Sequence, residues 1–295
     1  MNILITGATG LIGRALAARL EGRRHRVVPL RRAPAPRSGE PTWDPERGRV
    51  DLEPAGPLDA VIHLAGETIA QRWTPSAKSR IGSSRIDATR RLSEALAALA
   101  CPPRVLVAAS ATGFYGDRGD EVLDEQSAPG RGFLPELCQA WESATAPARD
   151  RGIRVVCLRL GIVLARDGGA LARMLPVFRW GLGGRIGSGR QYWSWITLED
   201  LLGAIERCLE ESQFSGAVNA VAPGTATNAL FTAALSRALR RPALLPVPAF
   251  ALRIALGEMG REVLLASARV RPTRLLEAGF AFLDPDLDSA FRHVV

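Results

Sequence analysis

The stretch from Met1 to Gly13 constrains the fold more than any other part of the chain. An apolar run from Ile3 to Ile5, too short for a helix, leads into Gly7, Gly10 and Gly13 at three-residue spacing. Leu11, Ile12, Ala15, Leu16 and Leu20 then recur at helical spacing. The order is strand, tight turn, helix. Glycines let the main chain turn sharply and pass close to a guest, while a helix start presents unpaired N–H groups and a positive dipole end. A pyrophosphate suits both features, so the stretch predicts a dinucleotide site made by Gly7, Thr9, Gly10, Leu11, Ile12 and Gly13. A glycine turn that merely connects strand to helix is the plainer alternative.

The same alternation continues downstream. Short, nearly continuous apolar runs over residues 26–30, 60–64, 105–109 and 154–160 predict strands, and helical patterns over 75–100 and 135–151 lie between them. Trp43 with Val50 and Leu52 suggests a small hairpin. Strands that are apolar throughout, alternating with helices, predict a parallel sheet covered on both faces: an α/β, Rossmann-type doubly wound fold whose ligand sits at the carboxyl ends of the strands. From Gly161 the texture changes, with glycines crowded up to Gly189 and prolines over 242–248. We read residues 1–165 and 198–222 as the dinucleotide-binding domain, and 166–197 with 223–295 as a smaller, mixed, substrate-side domain.

Composition narrows the function. A chain of 295 residues, 47 % hydrophobic and 23 % charged, has ample material for a core. No apolar run approaches the roughly 20 residues of a membrane span, and no signal-peptide pattern opens the chain, so it is expected to be cytoplasmic with no membrane partner. The four cysteines and three histidines are scattered, which argues against metal and disulfide sites. The net charge of +8 comes from arginines dispersed along the chain rather than from a basic run, so no nucleic-acid partner is expected. Lys78 is the only lysine. The partner is a small molecule, and the protein is a monomer or a homodimer.

Several strings together resemble the extended short-chain dehydrogenase/reductase superfamily, and within it an atypical epimerase-like subgroup with a C-terminal conserved segment. They are Gly7 to Gly13, His63-Leu64-Ala65-Gly66-Glu67, Arg72-Trp73-Thr74, Ser84-Arg85-Ile86, Ser110 with Gly113-Phe114-Tyr115-Gly116, and Trp141-Glu142. Gly187-Ser188-Gly189-Arg190-Gln191, Ser194-Trp195-Ile196, Pro272-Thr273-Arg274-Leu275 and Gly279-Phe280 extend the likeness over essentially the full length. The resemblance implies a bound nicotinamide dinucleotide and no known substrate.

Cofactor choice turns on the end of the second strand. An acid about 20 positions after the glycine turn would favour NAD(H), whereas arginine accommodates the extra phosphate of NADP(H). This chain has Arg31 and Arg32 there, expected to have no acid nearby, and the resemblance favours Arg32 as the phosphate partner. NADP(H) is preferred, with two solvated arginines as the alternative. Leu64, Ala65 and Gly66 continue the cofactor wall, Gly66 because a bare main chain can pass close to the dinucleotide.

The superfamily's usual catalytic pair is a tyrosine with a lysine four residues on. The only tyrosines are Tyr115 and Tyr192, followed at that spacing by Gly119 and Ile196. No Tyr-x-x-x-Lys pair exists in the chain. Where the resemblance places that pair stand Cys138 and Glu142, and a glutamate beside a thiol raises its pKa rather than lowering it. Ser110 and Tyr115 are the remaining catalytic candidates, His63 is expected to be structural, and Glu67, Arg190 and Gln191 are candidate substrate contacts. Two functions stay open: an NADP(H)-dependent oxidoreductase or epimerase-like enzyme, and a catalytically inactive NADP(H)-binding module that reports redox state.

Overall fold

The computed structural model describes residues 1–32, 39–44 and 48–295, with Arg32 described by its main chain alone. The first part of the chain runs β1 (Asn2–Thr6), α1 (Leu11–Gly22), β2 (Arg26–Arg32), β3 (Thr42–Asp44), β4 (Arg49–Asp51), β5 (Ala60–His63), α2 (Pro75–Ser83), α3 (Ile86–Ala98) and β6 (Val105–Ala111). It continues through β7 (Val122–Leu123), α4 (Phe133–Ser143), α5 (Ala146–Asp150) and β8 (Arg154–Leu160). The second part runs β9 (Ile162–Ala165), α6 (Gly169–Arg179), β10 (Tyr192–Trp193), β11 (Trp195–Thr197), α7 (Leu198–Glu210), β12 (Gly216–Ala220), β13 (Ala226–Thr227) and α8 (Asn228–Leu239). After α9 (Ala249–Leu256) come a π-helical turn at Gly260–Leu265, β14 (Arg269–Val270), α10 (Thr273–Glu277) and α11 (Leu287–Val294).

Eight strands form one sheet in the order β12-β8-β6-β5-β1-β2-β3-β4, parallel except where β3 meets β4. The chain moves from β1 to β2 on one side and returns to β5 on the other. That reversal opens a crevice beyond the carboxyl ends of β1 and β5, where a doubly wound sheet binds its ligand. The Rossmann-type fold expected from the alternation is therefore the one observed.

The two-residue period of a strand distributes its side chains between two cores. Ile3 and Ile5 of β1 pack with Ile62, Val107 and Leu158 under Leu16 of α1 and Ile205 of α7. Leu4 points the other way, among Val61, Leu106 and Val155, beneath Leu92 and Leu96 of α3. A third core gathers Leu171, Trp195, Phe231 and Phe291 from the later part of the chain.

Two predicted helices are each divided. The 75–100 pattern breaks after α2, where Ser83 donates to the Arg80 carbonyl and Ser84 to that of Ile81, at 3.3 and 3.1 Å. Such local side-chain bonds compete with the helix. The 135–151 pattern starts at Phe133 and breaks after Ser143, where Thr145 Oγ1 donates to the Glu142 carbonyl at 2.6 Å. Pro147 then sits in the first turn of α5, where its missing N–H costs nothing. The fourth predicted strand runs on to Ala111, which places Ser110 within β6.

Candidate functional site

The glycine turn is shaped by what would collide with a side chain. Gly7 has φ +71°, and a Cβ there would come within 2.9 Å of the Ala65 nitrogen and the Leu64 carbonyl carbon. A Cβ on Gly13 would overlap the Gly7 carbonyl and stand 2.8 Å from the Ala8 Cα. Gly10 caps α1 without a side chain, and the first turn of the helix holds no acid. Elsewhere Thr74, Thr197, Thr227 and Asp286 cap their helices with side-chain oxygens. The first N–H groups of α1 therefore keep their hydrogen-bonding capacity for a guest, beside exposed Thr9 and Gly10. Leu11 turns back, and a Cβ on Gly168 would lie 2.8 Å from its Cδ1. These residues fit a pyrophosphate-bearing dinucleotide.

A buried polar rail holds the facing loop. Thr6 Oγ1 accepts N–H bonds from Leu64 and Ala65 at 3.1 and 3.2 Å and pairs with His63 Nδ1 at 2.7 Å. His63 Nε2 pairs with Thr89 Oγ1 at 2.9 Å, and that oxygen accepts from Trp141 Nε1 at 2.9 Å. Burial, with the Arg85 charge nearby, pushes the His63 pKa down to about 4. His63 is a neutral strut that ties β5 to β1, α3 and α4.

The catalytic candidates converge on a second network. Ser110 Oγ donates to Glu142 Oε1 at 2.7 Å. Arg159 grips the same carboxylate with two bonds, Nε at 2.8 Å and Nη2 at 2.9 Å, and donates from Nη1 to the Tyr115 hydroxyl at 3.0 Å. That hydroxyl also reaches Asn219 Oδ1 at 2.7 Å and the Asp124 carbonyl at 2.8 Å. Arg159 stacks on Phe114 with its Cζ 3.4 Å from the ring centre. Burial opposes its charge, but the bonds to Glu142 and the attraction of Tyr115 and Glu142 outweigh that and hold its pKa above the ordinary value.

Tyr115 is 0 % exposed, and burial pushes its phenol up to about 12. Its hydroxyl thus faces the interior, engaged by Arg159 and Asn219. Cys138 is also buried, and desolvation followed by Glu142 pushes the thiol up to about 12, the direction expected from the Cys138/Glu142 spacing. A cavity of about 730 Å³ lies behind this network, lined by Phe114, Gln139, Glu142, Arg149, Arg159 and Ala217. None of the glycine-turn residues lines it.

The remaining candidates spread out. Arg31 lies at the end of β2, but Glu40 stands 4.0 Å from its Nε, which corrects the expectation of arginines without an acid nearby. Both partners are well exposed, so the pair is weak. The Arg32 side chain lies outside the described residues. Glu67 follows Gly66, its N–H bonded to Ser84 Oγ at 3.0 Å. Arg190 is exposed, whereas Gln191 is 7 % exposed and its amide donates to the Ile186 and Leu264 carbonyls at 3.0 and 3.2 Å. Gln191 thus pins a loop to the π-helical turn rather than facing a ligand. Arg85, Arg159 and Asn219 were not predicted as site residues; only the string Ser84-Arg85-Ile86 pointed towards one of them.

Among the described residues, no three His, Cys, Asp or Glu side chains gather as metal ligands, and no helix is long and apolar enough to cross a membrane.

Comparison with known proteins places these features in a family. The model of the NAD dependent epimerase/dehydratase family matches residues 3–221, and a domain of unknown function, DUF1731, matches 247–294. An epimerase family protein of Mycobacterium tuberculosis is 46 % identical over 282 residues, 95 % of this chain and 93 % of that one. The human epimerase family protein SDR39U1 is 36 % identical over 301 residues, the whole of both chains. Its crystal structure with NADPH superposes with a TM-score of 0.90, covering 100 % of this chain and 99 % of that one at 35 % identity. A nucleoside-diphosphate sugar epimerase from Corynebacterium glutamicum gives a TM-score of 0.81 at 36 % identity, covering 99 % of this chain and 57 % of that one. With a dinucleotide turn at its head, the DUF1731 segment at its tail and full-length relatives in bacteria and humans, this chain belongs to the NAD-dependent epimerase/dehydratase family.

Proposed function

We propose that the protein binds NADP(H) beyond the carboxyl ends of β1 and β5 and acts as an oxidoreductase or epimerase-like enzyme on a small polar substrate, without a Tyr-x-x-x-Lys pair. The observation that carries this reading is the uncapped start of α1 behind Gly7 and Gly13, where collisions rule out side chains and the helix donors remain available. Gly7 through Gly13 would hold the pyrophosphate, Arg31 and Arg32 the extra phosphate, and Leu64 to Gly66 the opposite wall. The human relative crystallised with NADPH supports the choice of cofactor.

The nicotinamide supplies hydride chemistry when bound. The chain's own groups orient it and exclude water. Ser110, at the carboxyl end of β6, is the candidate polar contact with substrate, its proton directed at Glu142. Tyr115 holds Arg159, which in turn fixes Glu142. Proton exchange with the substrate then falls to an ordered water rather than to a tyrosinate. Glu67 and Arg190 are the substrate-side polar contacts.

Titrating the protein with NADPH and with NADH, followed by nucleotide fluorescence, tests the reading. NADPH should bind at least about tenfold tighter, the worth of one charge-assisted phosphate contact; equal affinities remove the NADP assignment. The high phenol and thiol pKa values favour the second reading, a module that binds NADP(H) without turnover. NADPH oxidation over a broad panel of small carbonyl compounds separates the two, since sustained turnover with any of them excludes the inactive module.

A further inference from the structure

Arg85 makes no hydrogen bond within the networks above, although its charge acts on His63. It occupies the cap position of α3, and its guanidinium packs against the main chain at Gly66, just past β5. A Cβ on Gly66 would lie 3.2 Å from the Arg85 Cζ and 3.3 and 3.4 Å from its two terminal nitrogens. On the α4 side, its Cζ stands 5.1 Å from the centre of the Trp141 ring. Nη1 donates to the Ile81 carbonyl and to Ser84 Oγ, both at 3.4 Å, which is long for such bonds. Among the described residues, Nε and Nη2 meet no hydrogen-bond acceptor and no carboxylate lies within ion-pair distance.

The position of this cation matters more than its exposure. Gly66 follows Ala65, whose nitrogen lies against Gly7 of the dinucleotide turn. Trp141 belongs to the α4 segment, where the superfamily resemblance would place the Tyr-x-x-x-Lys pair, and that segment has no basic side chain in this chain. Burial lowers the Arg85 pKa, with Cys138 and Glu67 acting the other way. A half-buried guanidinium gains more from an anionic partner than a solvated one does.

We infer that Arg85 is the anion receptor of the crevice: its Nε and Nη2 take two oxygens of a phosphate or carboxylate, with Trp141 and Gly66 fixing the guanidinium plane. Paired donors in a rigid plane match such oxyanions, and a single lysine ammonium does not. Positive charge thus reaches the crevice from the start of α3 instead of from α4. The oxyanion belongs either to the pyrophosphate of the cofactor or to the substrate. This inference rests on the proposed cofactor reading, and the test keeps the two apart.

The test compares wild type with Arg85→Met and Arg85→Lys, using 2′-AMP binding to check that the adenine half of the site is intact. If the oxyanion is the cofactor's, Arg85→Met weakens NADPH by about tenfold or more, Arg85→Lys less, and 2′-AMP, which lacks the pyrophosphate, not at all. If it is the substrate's, Arg85→Met binds NADPH within twofold of wild type. Inorganic phosphate or malonate at constant ionic strength then raises the melting temperature of NADPH-loaded wild type but not of loaded Arg85→Met. Should Arg85→Met fail to fold, Arg85→Lys is read against wild type by the same two measurements. Unchanged NADPH affinity together with an unchanged or absent anion response overturns the inference. Failure of wild type itself to bind NADPH overturns the cofactor reading instead.

Discussion

His63 ends a central strand with both ring nitrogens bonded to threonines and no path to solvent. Its folded pKa of about 4 lies below the unfolded value of 6.5, so the unfolded chain takes up the proton first as the pH falls. The stability that His63 confers by staying neutral is complete above pH 6.5 and is lost between 6.5 and 4. At pH 5 this group alone should cost about 2 kcal/mol relative to pH 7, seen as a lower urea midpoint. His63→Gln should flatten that pH dependence; an equally steep profile in the variant would assign it to other groups. Tyr115 gives a second test at this scale. Tyr115→Phe removes the acceptor of Arg159 Nη1 and the donor to Asn219, and should destabilise the fold by about 1–3 kcal/mol while NADPH affinity stays within twofold. Lost turnover at unchanged stability would instead restore a direct catalytic role to that hydroxyl.

At the scale of elements, the glycine turn makes the sharpest prediction. Gly13 is buried in the first turn of α1, and the collision of a Cβ with the Gly7 carbonyl involves main chain that cannot swing aside. Gly13→Ala should therefore push the turn away from its bound shape and weaken NADPH at least tenfold, with a loss of about 1 kcal/mol or more in stability. Gly22→Ala, at the far end of the same helix with open space around it, is the control. This turn, the parallel strands and the absent Tyr-x-x-x-Lys pair were legible in the sequence because each rests on local spacing. The helix breaks after Ser83 and Ser143 were not, because serine and threonine side chains decide them through single bonds to the main chain. Arg159 was hidden for a different reason. It sits in an apolar strand, and its partners Glu142 and Tyr115, with Asn219 bonded in turn to Tyr115, come from three other elements that only the fold brings together.

At the scale of the whole molecule, the C-terminal segment reaches back and fastens onto α2 and α4 of the dinucleotide-binding fold. Lys78 of α2, the sole lysine, pairs with Glu258 and lies over the Phe133 ring at 4.8 Å. Met259 joins Trp73, Ile81, Leu134 and Leu137 in one apolar cluster. Glu262, in the π-helical turn, accepts the N–H groups of Phe133 and Leu134 at 3.4 and 2.9 Å. It thereby caps α4, whose own cap residue is Gly132 at φ +117° with no side chain to offer. A carboxylate there satisfies orphan donors and opposes the helix dipole, together worth about 1–2 kcal/mol. Glu262→Ala should lose that amount and, because one side chain serves both segments, should speed amide hydrogen exchange at 133–137 and at 260–265 together. Glu262→Gln keeps an acceptor without the charge and should fall between alanine and wild type. If exchange quickens only at 260–265, α4 holds its own start, and the segment is a passenger on the dinucleotide-binding half rather than a fastener of it.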